Sequence, residues 1–121
     1  MNKNVIDVSK QLLGKVLATQ IDNTITSGII VEVEAYKGIE DKASHAYNNK
    51  RTPRTKIMYQ NGGVSYVYLC YGMYYLFNVI TNVKNIPHAV LIRAIEPLDG
   101  IDKMQYRRNI KDKLYNLTNG P

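Results

Sequence analysis

The chain of 121 residues carries 16 Lys and Arg against 10 Asp and Glu, which gives a formal net charge of +6. This length suits one domain that buries somewhat under about 70% of its unfolded surface, so two independent domains are excluded. The 45% hydrophobic content is typical of a globular chain, and the single cysteine excludes an internal disulfide. Because no stretch free of charged and amide side chains is long enough to cross a bilayer, we expect an intracellular protein without a membrane partner.

The first predicted elements are a helix and a β-hairpin. Apolar residues at helical spacing predict an amphipathic helix over residues 5–13, which Gly14 ends. Alternating and β-branched residues then predict strands over 15–21 and 25–36, joined by a turn at 22–24.

The middle of the chain predicts a second hairpin. A helical turn or two is expected over 41–47, and a polar loop over 48–56. Strands are expected over 64–70 and 75–81, with a break at Gly72.

A strand and a helix close the predicted series. The strand covers residues 89–95, and a basic helix runs from about 101 to 108, with Asp99 as its N-cap. These elements predict a single α+β domain with a largely antiparallel sheet, hairpins and flanking short helices.

The charge is unevenly distributed along the chain. Residues 1–49 have a net charge of −1 and residues 50–121 one of +7, while residues 42–95 contain no Asp or Glu but seven tyrosines. Basic side chains attract phosphates and aromatic rings stack on bases, so this segment favours nucleic acid binding. A solvated basic face beside a tyrosine-rich core would explain the same pattern.

Strand alternation assigns the residues of 25–36 to two faces. The predicted core-like face holds Ile29, Val31, Val33 and Ala35. The opposite face holds Ile30, Glu32, Glu34 and Tyr36. Two carboxylates beside a tyrosine suit a cleft, but they suit a solvated strand face equally well.

Several motifs together resemble the alkyladenine (methylpurine) DNA glycosylase family. They are VEVEAY at 31–36, DKASH at 41–45, TPR at 52–54, YVY at 66–68, YGMY at 71–74, Asn78 and LIRAIEPL at 91–98. They follow the family's order at nearly its spacing over residues 9–121, which makes the resemblance specific. It implies a curved sheet and a monofunctional enzyme, without metal or cofactor, that acts on damaged double-stranded DNA.

The resemblance also implies roles for individual residues. Glu34 matches the general base that activates water, and Arg93 matches a residue close to that water. A flipped alkylated or deaminated purine, of the 3-methyladenine or hypoxanthine type, would lie in a pocket of four residues and leave its N-glycosidic bond open to hydrolysis. These residues are Tyr36, His45, Tyr68 and Asn78, of which Asn78 matches the one that screens out guanine.

Further residues are expected to hold the DNA itself. Tyr71 matches the side chain that intercalates into the gap left by the flipped base. Contacts with the phosphate backbone are expected from Lys50, Arg51, Arg54 and Lys56. Four other tyrosines are expected to pack instead of taking part in function: Tyr59, Tyr66, Tyr74 and Tyr75.

The resemblance covers only about the first two-thirds of the family's pattern. We therefore expect residues 1–121 to form an incomplete domain, C-terminally truncated, whose uncovered edge favours an oligomer or a partner. A catalytically inactive DNA-binding remnant is one alternative, and an RNA-binding module with stacking tyrosines is another. The chain has a surplus of Ile, Asn and Lys over Leu and Arg, which indicates an AT-rich, bacterial source. We therefore expect a cytoplasmic, nucleoid-associated or otherwise intracellular location.

Overall fold

A computed structural model describes residues 4–49, 51–53, 55–70, 74–82, 85–109 and 117–118. In these ranges the helices are α1 (Val5–Leu12) and α2 (Ile101–Arg108), and the strands are β1 (Val16–Ile21), β2 (Thr24–Tyr36), β3 (Ser65–Cys70), β4 (Tyr74–Ile80) and β5 (Ala89–Pro97). Short 3₁₀ helices at Gly38–Glu40, Tyr47–Asn49 and Lys56–Tyr59 connect β2 to β3. The predicted α+β class, both hairpins and both helices are confirmed. No described helix is long and apolar enough to cross a membrane.

The strands form one curled antiparallel sheet in the order β1-β2-β5-β4-β3. Because β5 lies between β2 and β4, residues far apart in the sequence become neighbours. Glu34 is opposite Leu91, Leu91 is opposite Asn78, and Asn78 is opposite Tyr66. Residues directly opposite each other in a ladder share a face, so these four form a row across one face of the sheet.

The turn between β1 and β2 has the backbone conformation that a tight hairpin requires. Asp22 and Asn23 have φ values of 52° and 62°. Positive φ at both central residues gives a turn whose twist matches that of the strands, and Asp and Asn tolerate it better than most residues. Thr24 already belongs to β2 and pairs with Ile21.

A compact apolar cluster joins the loops after β2 to the sheet. Its buried members are Ala46, Met58, Tyr59, Tyr66, Ile80 and Ala89. Gly38 brings the end of β2 close to the loop before β5, because a Cβ at this position would lie 2.6 Å from the carbonyl oxygen of Pro87. Its φ of +59° also favours glycine. The segment that follows, residues 41–47, is predicted as helical, and its hydrogen bonds form two successive turns at Asp41 and Ser44.

The predicted core face of β2 is wrong at Val31. Val31 is 52% exposed, whereas Ile30, assigned to the opposite face, is only 4% exposed. The ladder to β5 pairs Ile30 with Ile95 and then Glu32 with Ala94, so it passes over Val31. Such a β-bulge shifts the alternation of side chains, and strict alternation cannot anticipate it. The four residues predicted for the core-like face therefore do not all lie on one buried face of β2: Ile29, Val31, Val33 and Ala35.

The predicted N-cap of α2 is also wrong. Gly100 occupies that position in a left-handed conformation, without a side-chain capping hydrogen bond. The Asp99 carboxylate instead accepts a hydrogen bond from the Ser27 hydroxyl at 3.1 Å, and the Ser27 N–H donates to the Asp99 carbonyl at 3.0 Å. Asp99 thus ties the start of α2 to β2.

The tyrosines expected to pack behave differently from one another. Tyr59 and Tyr66 are buried, as predicted, but Tyr75 is 74% exposed and that prediction is wrong. Tyr75 lies opposite Leu69 in the ladder, and both point to the other face of β3 and β4 from the one that holds Tyr66. The Tyr74 side chain lies outside the described part of the chain.

Candidate active site

Two other side chains contact the carboxylate of Glu34. Glu34 Oε2 accepts a hydrogen bond from the hydroxyl of Tyr36, two residues later on β2, at 3.4 Å. Arg93 Nη1 lies 3.4 Å from the same oxygen. The Glu34 side chain is 46% exposed, so it remains open to water while two donors orient it.

Arg93 owes its position to an irregularity in the ladder. The pairing of β5 with β2 passes over Arg93 between Ala94 and Ile92, and a bulge of this kind redirects a side chain. Arg93 Nε lies 3.9 Å from Glu32 Oε1, so its guanidinium is flanked by the carboxylates of Glu32 and Glu34. The three groups together carry a net charge of −1, which leaves the site receptive to developing positive charge.

Tyr36 is kept protonated by its surroundings. Burial and then the negative charge of Glu34 raise the pKa of Tyr36 to about 12. Both effects disfavour the phenolate, the first by desolvation and the second by repulsion. At neutral pH Tyr36 is therefore a hydrogen-bond donor to Glu34.

An aromatic cavity lies on the same face of the sheet. Its empty volume, including solvent at the mouth, is about 250 Å³, and its walls include Tyr36, His45, Met58, Tyr66, Tyr68 and Asn78. The ring centroids of His45 and Tyr68 are 4.4 Å apart at an angle of 60°, and those of Tyr66 and Tyr68 are 5.4 Å apart. Tyr36 belongs to both features, so the carboxylate adjoins the cavity.

Asn78 is a buried residue in the lining of this cavity. It is buried on β4, and its Nδ2 donates a hydrogen bond to the backbone carbonyl of Tyr66 at 3.2 Å. A buried amide fixed in this way presents a defined shape to any planar group that enters.

A second cavity carries the exposed cations of the loop before β3. Arg51, Thr52, Pro53, Lys56 and Tyr59 line it. The Arg51 guanidinium carbon lies 4.0 Å from the centroid of the Tyr59 ring, which is a cation–π contact. Burial raises the pKa of Tyr59, and the charge of Arg51 partly opposes this. Arg51 Nη1 also donates to Asn85 Oδ1 at 3.4 Å, so the guanidinium is held in place.

The structure brings most of the sequence-predicted residues together. Glu34 and Arg93 form an ion pair, and four predicted residues line the adjoining cavity: Tyr36, His45, Tyr68 and Asn78. Arg51 and Lys56 line the second cavity. The remaining predictions, Lys50, Arg54 and Tyr71, lie outside the described residues. Over the described ranges, no three His, Cys, Asp or Glu side chains are grouped so that they could hold a metal ion.

Sequence reasoning assigned Tyr66 to packing and so missed its contact with the site. Its hydroxyl lies 2.8 Å from His45 Nδ1. A signal was present, because Tyr66 and Tyr68 are two residues apart on a strand and must share a face. What the pattern could not reveal is that this face also receives His45 from a loop.

The arrangement supports two kinds of chemistry. A partly exposed carboxylate, oriented by neighbouring donors, can take a proton from a water molecule. Aromatic side chains around an open cavity can stack against a flat ring, with cation–π attraction if the ring is positively charged.

Comparison with known proteins gives a consistent result. Residues 1–121 match the family model described as methylpurine-DNA glycosylase. A Chlamydia felis protein named "Putative 3-methyladenine DNA glycosylase" is 54% identical over 122 residues, covering 100% of this chain and 63% of the relative. Proteins of the same name from Clostridium acetobutylicum and Bacillus cereus are 51% and 50% identical, covering 99% and 98% of this chain and 62% and 60% of the relatives. The chain thus spans about three fifths of the length of these relatives.

Proposed function

The chain belongs to the methylpurine-DNA glycosylase family, and from this membership and the geometry of the site we propose that it removes damaged purines from double-stranded DNA. The observation that carries the proposal is the position of the Glu34 carboxylate, which Tyr36 joins to the aromatic cavity. The substrate class is an alkylated or deaminated purine, of the 3-methyladenine or hypoxanthine type, in DNA of the bacterial cytoplasm.

The cavity receives the base after it has rotated out of the helix. His45, Tyr68 and Tyr36 surround it with aromatic edges and faces. Such rings attract a cationic methylated purine more than a neutral one, by roughly 0.5–2 kcal/mol per contact. Asn78 rejects guanine, because its fixed amide occupies the space that an extra amino group would need. Flipping costs a few kcal/mol, and damaged or mispaired bases cost least.

Hydrolysis uses the carboxylate beside the cavity. Glu34 removes a proton from water as the water oxygen bonds to the anomeric carbon of the sugar. The N-glycosidic bond breaks, its electron pair stays with the purine, and the sugar passes through an oxocarbenium-like state that the negative site stabilises. Arg93 holds the Glu34 carboxylate in place and faces the flipped nucleotide. The proposed step requires neither metal nor cofactor.

The DNA is held by the cationic loop before β3. Arg51 and Lys56 neutralise phosphates, and Lys50 and Arg54 belong to the same basic run. Tyr71, between β3 and β4, fills the gap that the flipped base leaves in the stack.

The cationic cavity, whose lining shares no residue with that of the aromatic cavity, favours a second candidate. Such a surface can hold DNA even where the reactive groups are misplaced, and an error of about 1 Å is enough to abolish catalysis. This candidate is a DNA-binding remnant without catalytic activity. In either case the exposed apolar side chains of β3 and β4 suit an oligomer or a partner that covers them: Val67, Leu69 and Tyr75.

One experiment separates the two candidates. A duplex with a single hypoxanthine is incubated with the protein, treated with alkali, and compared with the same duplex carrying adenine, while binding is measured in parallel at low salt. The proposed function predicts a strand break at hypoxanthine only. Binding without a break supports the remnant, and the lack of both binding and breakage contradicts both candidates.

A further inference from the structure

Glu32 joins the candidate active site through its contact with Arg93. Its Oε1 lies 3.9 Å from Arg93 Nε, while Arg93 Nη1 lies 3.4 Å from Glu34 Oε2. The two carboxylates therefore face different nitrogens of one guanidinium. The side chain of Arg93 is 27% exposed, against 65% for Glu32 and 46% for Glu34. An enclosed cation thus lies between two more exposed acids, either of which attracts it.

The backbone leaves the direction of the Arg93 side chain open to these acids. Val33 is opposite Ile92 and Glu32 is opposite Ala94, so the ladder passes over Arg93. The extra residue of a bulge has no partner directly across from it in the neighbouring strand. The guanidinium of Arg93 is therefore directed by the carboxylates beside it.

The Arg93 guanidinium is close to both carboxylates but in tight contact with neither. Charge-assisted hydrogen bonds between an N–H and a carboxylate oxygen are about 2.7–2.9 Å long, and both distances here are longer. A guanidinium released by Glu32 would move to Glu34, where a bidentate contact would occupy both carboxylate oxygens. A general base, in contrast, must keep an oxygen for the proton that it takes from water.

We propose that Glu32 is a positioning residue, which holds Arg93 from the Nε side and so prevents the guanidinium from closing onto Glu34. The Glu34 carboxylate thereby keeps an oxygen for the attacking water. Glu32 also keeps the net charge of the three groups at −1, which favours positive charge on the sugar. The effect on base release rests on the proposed function, whereas the position of Arg93 does not.

The phenol of Tyr36 makes the position of Arg93 measurable in the chain without DNA. Burial and then the charge of Glu34 raise the pKa of Tyr36 to about 12, with smaller contributions from Tyr68 and Asp41. An Arg93 guanidinium that closes onto Glu34 would neutralise its charge and would favour the phenolate. The pKa of Tyr36 should then fall.

Glu32→Gln tests the position of Arg93, and Glu32 is exposed enough for the chain to tolerate the substitution. At about 3.3 Å per residue, about 13 Å of strand separates Glu32 from Tyr36, which exceeds the Debye length of about 8 Å at physiological salt. Loss of the Glu32 charge by itself therefore has little effect on Tyr36. We expect the Cζ resonance of Tyr36 to titrate at lower pH in Glu32→Gln, because Arg93 moves to Glu34.

Glu96→Gln is the matched control, since it removes an exposed carboxylate from the same strand as Arg93. It should leave the titration of Tyr36 unchanged. An unchanged titration of Tyr36 in folded Glu32→Gln would overturn the proposal.

A second pair of variants tests whether Glu32 acts through Arg93. In Arg93→Gln the guanidinium is gone, so the addition of Glu32→Gln should cause no further change in the titration of Tyr36. A further fall in the double variant would show that Glu32 acts without Arg93, and this would contradict the positioning role.

Base release is measured separately, with a duplex that contains hypoxanthine, under single-turnover conditions. Glu32→Gln should release the base roughly 2- to 5-fold more slowly, the factor to which an exposed ion pair corresponds. Binding of the duplex should not weaken, because the substitution removes a negative charge that repels phosphates. If the unmodified chain releases no base but Tyr36 titrates as expected, the proposed function fails while the role of Glu32 stands. An unchanged rate beside the expected titration contradicts the effect on base release alone.

Discussion

The hydroxyl of Tyr36 and the carboxylate of Glu34 lie 3.4 Å apart on one face of β2. Burial and the charge of Glu34 together raise the pKa of Tyr36 to about 12. Because Tyr36 also lines the aromatic cavity, the candidate base and the base pocket share one phenol, which remains a donor at every physiological pH.

Tyr36 should titrate well above an ordinary tyrosine. Its pKa is higher in the folded chain than the unfolded value of 10.0, so its contribution to stability is complete below pH 10 and is lost as the pH rises to about 12. The Cζ resonance of Tyr36 should move only near the upper value. Glu34→Gln should lower this pKa and Glu96→Gln should not. Titration of Tyr36 together with exposed tyrosines would contradict the described environment.

Asn78→Ala should destabilise the chain. The substitution removes a buried side-chain hydrogen bond to the Tyr66 carbonyl, and such a bond contributes about 0.5–1.5 kcal/mol. The loss is measured as a change in the free energy of unfolding in denaturant. Gln60→Ala, at an exposed position, is the control and should change this free energy by no more than about 0.5 kcal/mol. A stability equal to that of the control would show that the amide is not held as described.

Arg51 and Lys56 should contribute to the salt dependence of DNA binding. Each phosphate contact that is lost reduces the slope of log K against log salt by about 0.9. Arg51→Gln and Lys56→Gln should each show such a reduction, whereas Lys103→Gln on α2 should not. Arg51→Lys should keep the slope but weaken binding, because lysine cannot reproduce the planar contact with Tyr59. Unchanged slopes in both Gln variants would remove this loop from the DNA interface.

The exposed apolar surface of β3 should drive self-association. Val67 and Leu69 are each nearly half exposed, and β3 is the last strand in the described part of the sheet. Sedimentation equilibrium should reveal a mass that rises with concentration, and Leu69→Lys should suppress the rise. Leu98→Lys replaces a similarly exposed leucine after β5 and serves as the control. A monomer at all concentrations would show that this surface does not bind a second copy.

The sequence was sufficient to predict the elements in which apolar and polar side chains follow a simple period. Alternation located β1 to β5, and the turn at Asp22 and Asn23 followed from residue type. Alternation failed at Val31, where the ladder inserts a bulge, and the cap prediction failed at Asp99, whose carboxylate bonds across to Ser27. Both failures arise from pairing between distant segments, which no local pattern records.

The candidate site likewise combines residues that local motifs predict with contacts that only the fold reveals. Residues matched by motif lie together, but the bulge that turns Arg93 towards Glu34 and the bond between Tyr66 and His45 depend on tertiary contacts. Tyr75 illustrates the opposite error, since an aromatic residue in a strand was expected to pack and is exposed. The motif resemblance thus named residues that lie close together, and their roles stay predictions, whereas their geometry required the fold.

The most direct test of the central claim is the rate at which free hypoxanthine is released from a duplex under single-turnover conditions, detected by mass spectrometry. If Glu34 activates the attacking water, Glu34→Gln should bind the duplex normally but release the base at least about 100-fold more slowly, and Glu96→Gln should match the unmodified chain. Release by Glu34→Gln at the unmodified rate would contradict the account.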